Sequence, residues 1–130
     1  MFTIEQIKEA HAKVKSGADF PKYIQELKAL GLVSYEHYVS DGHTLYRGTA
    51  GFSIAADAKY PAMEVADTGA VERLQHALLI HQQGQTDYPT FCRQAVEAGV
   101  EKWTVNTVEM RCTYFDKAGN AMVAEEIPVV

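Results

Sequence analysis

The residues with the greatest chemical potential lie between His81 and Cys92. A cysteine becomes a nucleophile when a nearby cation stabilises its thiolate. His81 could act as the base and Asp87 could orient it, so a small enzyme that uses Cys92 is one hypothesis for this segment. Cys92 also corresponds to Ile24 in an internal repeat described below, on the buried side of a helix. That correspondence favours a packed thiol over a reactive one.

The same segment contains polar side chains that could bind a ligand. The candidates are His81, Gln82, Gln85, Thr86 and Asp87. Amide side chains and the first N–H groups of the following helix could receive a small anionic or amide-bearing molecule. Helix capping is the competing explanation, because His81 and Gln82 could bond the last carbonyls of one helix while Thr86 and Asp87 cap the next. The residue types favour capping and leave the ligand site open as a hypothesis.

The histidines and cysteines do not form a metal-binding pattern. His76 and His81 are five residues apart, which places them about 140° apart around a helix, and no third ligand has suitable spacing. Cys92 and Cys112 lie outside any C-x-x-C motif, which is typical of reduced thiols in a cytoplasmic protein. We therefore expect no metal and no cofactor.

An internal repeat positions the candidate residues. The segment 19–35 recurs, at a constant offset, as the segment 87–103. Three residues are identical between the copies, namely Asp19, Pro21 and Gly31 with Asp87, Pro89 and Gly99. Four more are conservative replacements, namely Phe20, Tyr23, Leu32 and Tyr35 by Tyr88, Phe91, Val100 and Trp103. The repeat predicts two related halves, about 1–66 and 67–130, within one domain that spans 1–130. It also suggests that matched residues serve folding and that unmatched polar residues are better functional candidates.

The repeat predicts an α+β fold. In each copy an aspartate and a proline begin a helix that a glycine ends, and each such helix follows another amphipathic helix. A β-hairpin is expected after each helix pair. We therefore predict two helix-helix-β-hairpin units that form a mostly antiparallel sheet with the helices on one side.

Two details of the strands follow from local patterns. Asp41 and Gly42 predict a two-residue hairpin turn that places His37 opposite Tyr46. The segment 103–115 is predicted to be one long strand, with a bulge near residues 106 and 107 where the inward-facing positions change parity.

The first hairpin carries more aromatic side chains than one sheet face can hide. They are Tyr35, Tyr38, Tyr46 and Phe52. Exposed, they would form an interface for a homodimer or a protein partner; covered, they would be ordinary core. A chain of this size has few other aromatic residues for its interior, which favours core.

Composition excludes several classes of function. With 130 residues and 47% hydrophobic content, the chain fits a single globular domain. Seventeen acidic and 12 basic residues give a net charge of -5, which argues against nucleic acid as a partner. The sequence shows neither a secretory signal nor a membrane span, so we expect a cytoplasmic location and no membrane partner.

Several strings resemble the YdfO/YbcV-like family of small prophage-associated bacterial proteins, often labelled phage envelope proteins. The first comprises His81, Gln82, Gly84, Thr86, Asp87, Tyr88, Phe91 and Cys92, the second Ala98, Gly99, Val100, Lys102 and Trp103, and the third residues 112–116, Gly119 and 126–128. The resemblance covers nearly the whole chain. It implies no activity, since the function of that family is uncharacterised.

The sequence therefore favours a noncatalytic binding or regulatory protein with a small-molecule or protein partner. No nucleophile has a base at convincing spacing. An enzyme that uses the segment from His81 to Cys92 is the first alternative and would need distant groups such as Glu109, Glu125 or Glu126. A structural phage component is the second.

Overall fold

The fold runs through the same series of elements twice. The structure is a computed structural model that describes residues 2–15 and 17–129. Its first half contains α1 (Ile4–His11), α2 (Phe20–Ala29), β1 (Leu32–Tyr38), β2 (Thr44–Gly48) and β3 (Ser53–Ala56), with a short 3-10 turn at Gly17–Asp19. Its second half contains α3 (Val71–Gln82), α4 (Tyr88–Glu97), β4 (Val100–Asn106), β5 (Arg111–Asp116) and β6 (Ala121–Glu126).

The six strands form one antiparallel sheet in the order β3-β2-β1-β4-β5-β6. The first strands of the two halves pair at its centre, and each half extends outwards to its own edge. The predicted α+β class with a mostly antiparallel sheet is confirmed. Each half has three strands: β3 is added to the predicted first hairpin, and the long strand predicted at 103–115 divides into β4 and β5, with β6 where the strand pairing back at 121–127 was expected.

The constant offset seen in the sequence coincides with the elements of the fold. Residues 20–29 of α2 correspond to residues 88–97 of α4, and residues 32–38 of β1 correspond to residues 100–106 of β4. The alternation of buried and half-buried residues is the same in β1 and β4. Between helix and strand, Gly31 and Gly99 have φ angles of 98° and 90°, a conformation that glycine adopts without strain.

Local sequence explains where the helices begin. Thr3 and Gln6 form a capping box at α1, in which the Gln6 N–H donates to the Thr3 hydroxyl at 3.2 Å and the Thr3 N–H donates to the Gln6 side chain at 2.9 Å. Asp87 caps α4 by accepting the Thr90 N–H at 2.9 Å. None of the described helices is long and apolar enough to cross a lipid bilayer.

The predicted register of the first hairpin is wrong by two residues. His37 lies opposite Thr44, and Tyr46 lies opposite Tyr35. The loop is longer than two residues because the Asp41 carboxylate accepts the His43 N–H at 3.0 Å, and the His43 carbonyl accepts the Tyr38 N–H at 2.9 Å. The Asx-type turn therefore replaces the tight two-residue turn.

The predicted long strand 103–115 is also wrong, because the chain reverses between β4 and β5. The Asn106 side-chain oxygen accepts the N–H groups of Val108 and Glu109, each at 2.9 Å, and Met110 has a φ angle of 52°. Val105 pairs with Cys112 across the turn. The change of parity that suggested a bulge marks a hairpin.

The helices cover one face of the sheet. Two rows of paired residues run across this inner face, one of Ile54, Tyr46, Tyr35, Val105, Cys112 and Glu125, the other of Ala56, Thr44, His37, Trp103, Tyr114 and Val123. Most of their central members are buried. The rows form the sheet side of the interior.

Candidate functional site

A cavity of about 760 Å³ separates the inner face of the sheet from the helices. Small-molecule sites in proteins commonly have volumes of roughly 300–1,000 Å³ and apolar walls. The aromatic part of this wall consists of Phe20, Tyr23, Tyr35, Tyr46, Tyr60, Tyr88, Phe91, Trp103 and Tyr114. Exposed lining residues, including Lys8, His11 and Lys59, mark where the cavity meets solvent. The cavity is large enough for a drug-sized molecule.

Eight of these aromatic residues form four pairs related by the offset between the two halves. The pairs are Phe20 with Tyr88, Tyr23 with Phe91, Tyr35 with Trp103, and Tyr46 with Tyr114. Each pair takes one ring from each half and places both on the cavity wall. The matched aromatic residues, which the sequence pattern assigned to folding, thus surround this cavity of about 760 Å³.

A chain of hydrogen bonds crosses the cavity wall from α4 to the β1–β2 loop. The Tyr88 hydroxyl lies 3.0 Å from His37 Nε2, and His37 Nδ1 lies 2.9 Å from the Thr44 hydroxyl. Because the Thr44 hydroxyl donates to the Gly42 carbonyl at 3.3 Å, it accepts from Nδ1. His37 therefore carries its proton on Nδ1 and accepts the Tyr88 hydroxyl proton at Nε2.

His37 is held in its neutral form. Burial lowers the pKa of His37 to about 4, and the nearby His11 and His43 act in the same direction. Its ring stacks on Trp103 with the centroids 4.4 Å apart. An uncharged imidazole inside an aromatic wall suits hydrogen bonding to neutral groups.

Tyr23 and Tyr35 place at the cavity wall hydroxyl groups that no described residue bonds. Tyr23 on α2 and Tyr35 on β1 are 7% and 5% exposed and both line the cavity. Among the described residues, neither hydroxyl makes a hydrogen bond. Burial raises the pKa of both side chains, so they remain protonated donors at neutral pH.

The predicted ligand loop contributes two residues to the cavity wall. His81 stacks on Phe91 with the ring centroids 4.6 Å apart, and its Nδ1 lies 3.1 Å from the Thr86 carbonyl oxygen. Gln82 donates to the Glu125 carboxylate at 2.9 Å and so joins the end of α3 to β6. His81 and Gln82 therefore form part of the cavity rim.

The other loop candidates shape the loop itself. The Gln85 amide donates to the Gln83 side chain at 2.7 Å, and Asp87 caps α4. Thr86 accepts the bond from His81 through its carbonyl oxygen. Gln85, Thr86 and Asp87 are absent from the cavity wall.

The structure does not assemble a catalytic group around Cys92. Cys92 is 1% exposed, and burial raises the pKa of its thiol. No hydrogen bond within the described part of the chain joins Cys92, His81 and Asp87 to one another. The environment of Cys92 is therefore that of a packed thiol rather than an activated nucleophile.

The four aromatic residues of the first hairpin are divided between two environments. Tyr35 and Tyr46 are buried at the cavity wall, with ring centroids 5.6 Å apart. Tyr38 is half-buried on the outer face and stacks on His43, while Phe52 packs edge-on against Phe2. Only Tyr38 and Phe52 are left for an outward-facing interface.

No group of three or more His, Cys, Asp or Glu side chains within residues 2–15 and 17–129 is arranged to hold a metal ion. The sequence pattern did not identify His37, Tyr60 or Trp103 as candidate site residues. The signal that could have identified part of this wall was the recurrence of aromatic residues in both halves.

These features define a two-layer α+β protein with an aromatic cavity between its layers. The chain belongs to the family described as Protein of unknown function (DUF1398), whose sequence model matches residues 8–126. No curated protein matches it.

Proposed function

We propose that this protein binds a small, mainly apolar molecule in the cavity between its sheet and its helices. The observation that carries the proposal is a space of about 760 Å³ lined by paired aromatic residues from both halves. Protein interiors are normally packed as densely as organic crystals, with few voids larger than a water molecule. An interior that keeps so large an aromatic space is suited to a guest molecule.

The buried titratable groups support binding rather than catalysis. Acid–base catalysts work best with pKa values near the working pH. Burial instead lowers the pKa of His37 to about 4 and raises the pKa of the Cys112 thiol to about 12. Both groups therefore remain neutral near pH 7 and can serve as fixed polar contacts.

Two neighbouring alanines on β3 provide a matched test. Ala56 is buried and lines the cavity, whereas Ala55 is exposed on the opposite face of the same strand. The Ala56→Phe variant should fill part of the cavity and weaken binding at least tenfold, while Ala55→Phe should bind like the parent. Trp103 is the only tryptophan of the sequence and lines the cavity, so its fluorescence can report the bound guest.

The measurement is a screen of uncharged aromatic fragments, read by melting temperature and by Trp103 fluorescence. A ligand that prefers the native state raises the melting temperature by mass action. The proposal requires hits that bind the parent and Ala55→Phe but are lost in Ala56→Phe. A screen without hits, or hits that bind all three proteins equally, would refute it.

The biological setting belongs to the same proposal. The resemblance to the YdfO/YbcV-like family supports a prophage-associated, cytoplasmic protein, and ligand binding would suit a regulatory role with a protein partner or within a homodimer. The alternative of a structural phage component predicts large assemblies in sedimentation. Monomers or dimers that bind ligand would favour the binding protein.

A further inference from the structure

We infer that the ligand is an uncharged molecule with a hydrogen-bond acceptor, such as a ketone or ester carbonyl, held by the hydroxyl groups of Tyr23 and Tyr35. This inference rests on the proposed function and adds the chemical class of the ligand. It concerns one end of the cavity, where α2 and β1 face each other.

The two hydroxyl groups belong to opposite walls of the cavity, one to the helix layer and one to the sheet. Tyr23 projects from α2 and Tyr35 from β1, and both line the cavity. α2 packs directly against β1, so the two side chains line the same part of the cavity. Neither makes a hydrogen bond within the described residues. Two protonated donors thus share one part of the wall with no acceptor for either among the described residues.

Two other tyrosine hydroxyl groups of the cavity are already engaged, whereas those of Tyr46 and Tyr114 lie beside the Thr44 hydroxyl and the Cys112 thiol. The Tyr88 hydroxyl donates to His37 at 3.0 Å, and the Tyr60 hydroxyl donates to the Val39 carbonyl at 2.5 Å. A buried donor that lacks an acceptor is destabilising, so buried polar groups are normally paired. Among the described residues, Gln94 Oε1 is the only fully buried polar side-chain atom without a partner, so the Tyr23 and Tyr35 hydroxyl groups are open to the cavity, where a ligand oxygen can accept from them.

The charges around the cavity favour an uncharged ligand. The charged side chains in its described lining are Lys8, Lys59, Glu125 and Glu126. Lys8, Lys59 and Glu126 are exposed, and Glu125 is half-buried and bonded to Gln82. With both signs present and no buried counter-ion between the tyrosines, an ion in the interior would lose its hydration without compensation.

A chemical difference between the two halves should fix the orientation of the bound ligand. The counterpart of Tyr23 is Phe91, whose ring has no hydrogen-bonding group. The cavity therefore offers unpaired hydroxyl groups on one side and an apolar ring at the related position. A molecule with an acceptor at one end would be bound in a single orientation.

A matched pair of probes tests the inference. The first is 6-propionyl-2-(dimethylamino)naphthalene, an uncharged fluorescent ketone, and the second is its 6-propyl analogue, which lacks the carbonyl oxygen. Tyr23→Phe and Tyr35→Phe remove only a hydroxyl group from the cavity. Tyr38→Phe removes a hydroxyl group from the outer face of the sheet and serves as the control.

The parent should bind the ketone about tenfold more tightly than the propyl analogue, as expected for one or two net hydrogen bonds. Tyr23→Phe and Tyr35→Phe should each weaken ketone binding by about three- to tenfold and leave binding of the propyl analogue unchanged. Tyr38→Phe should behave like the parent. The infrared carbonyl stretch of the ketone bound to the parent should lie at lower frequency than in a dry alkane, a readout that needs no variant.

The outcomes separate this inference from the proposed function. If both probes bind equally well to the parent and to both phenylalanine variants, and Ala56→Phe excludes them, the cavity binds ligands but the acceptor inference is wrong. A carbonyl stretch at its alkane frequency would overturn it as well. If the parent binds neither probe, the inferred ligand class is wrong, while the fragment screen still decides the proposed function.

Discussion

The hydroxyl group of Tyr88 donates to Nε2 of His37 at 3.0 Å, and this bond joins the first turn of α4 to β1 at the centre of the sheet. Because Thr44 holds the other ring nitrogen, His37 has both nitrogens satisfied while its ring is buried. The bond fixes the position of two cavity residues that are 51 positions apart in sequence. Removing this bond should lower the stability of the fold and change the shape of the cavity.

Tyr88→Phe should destabilise the protein by about 1–3 kcal/mol, because it leaves Nε2 of buried His37 without a donor. Tyr23→Phe is the matched control, since it removes a cavity hydroxyl group that no described residue bonds, and it should leave stability unchanged or raise it. Urea unfolding of the parent and both variants gives the comparison. Equal losses in the two variants would show that the bond between Tyr88 and His37 contributes nothing specific.

The low pKa of His37 predicts a stability that falls as the pH falls. The unfolded chain takes up this proton near pH 6.5, whereas the folded protein resists it until about pH 4. The unfolded state therefore binds more protons between these values, and stability falls by up to roughly 3 kcal/mol as the pH is lowered from about 6.5 to 4. The pKa of His11 is also lowered, mainly because its ring loses hydration where it packs against Tyr23 and Tyr88 although the residue is otherwise exposed, and this adds to the same trend.

The variant His37→Gln should show a shallower pH dependence than the parent in urea unfolding between pH 7 and pH 5. The charged neighbours of His37 include Asp41 and Lys59, which remain in the variant. Carboxylates with lowered pKa values, such as Glu36 and Asp41, lose their contribution at lower pH, so this window reports mainly the histidines. A slope equal to that of the parent would contradict a buried neutral His37.

The loop before α4 yields a prediction that separates capping from ligand contact. Asp87→Ala should lower the melting temperature by several degrees, because it removes the acceptor for the Thr90 N–H. Asp87→Asn keeps an acceptor at this position and should melt close to the parent. Gln85→Ala removes only an exposed bond to Gln83 and should leave the melting temperature near that of the parent. A lower melting temperature for Gln85→Ala than for Asp87→Ala would reverse this assignment.

The helices and the class of the fold could be predicted because their signals are local. A proline in the first turn and a terminal glycine delimit α2 and α4, and the constant offset between the halves places the strands that follow. Asp87 caps α4 as predicted, whereas the predicted cap at Asp19 is wrong, because the Asp19 carboxylate accepts the Lys15 N–H at 2.9 Å and makes no capping bond to α2. The reversal between β4 and β5 could not be predicted from alternation alone, because the Asn106 turn begins without glycine or proline. The register of the first hairpin could not be predicted either, because it depends on the hydrogen bond that the Asp41 carboxylate accepts from the His43 N–H.

The candidate site was harder to predict because aromatic residues at helix and strand spacing also form ordinary cores. Whether Tyr35 and Trp103 fill a core or surround a cavity depends on how far apart the helix layer and the sheet lie. That separation is set by the tertiary packing of both halves. The polar segment 81–87 was predicted to bind a ligand because most of its residue types have no match in the other half. Of its candidate residues, only His81 and Gln82 line the cavity.

Both thiols should be inert in the folded protein. Burial raises the pKa of Cys92 and raises that of Cys112 to about 12, so the thiolate that reacts with alkylating reagents is scarce at pH 8. Iodoacetamide should therefore label neither residue in the native protein and both in urea, as mass spectrometry can show. Cys112 lines the cavity and Cys92 does not. Rapid labelling of Cys112 alone in the native protein would indicate that water in the cavity reaches this thiol and allows it to ionise. Rapid labelling of Cys92 would instead support the catalytic hypothesis, because only an activated thiolate at that position could react without unfolding.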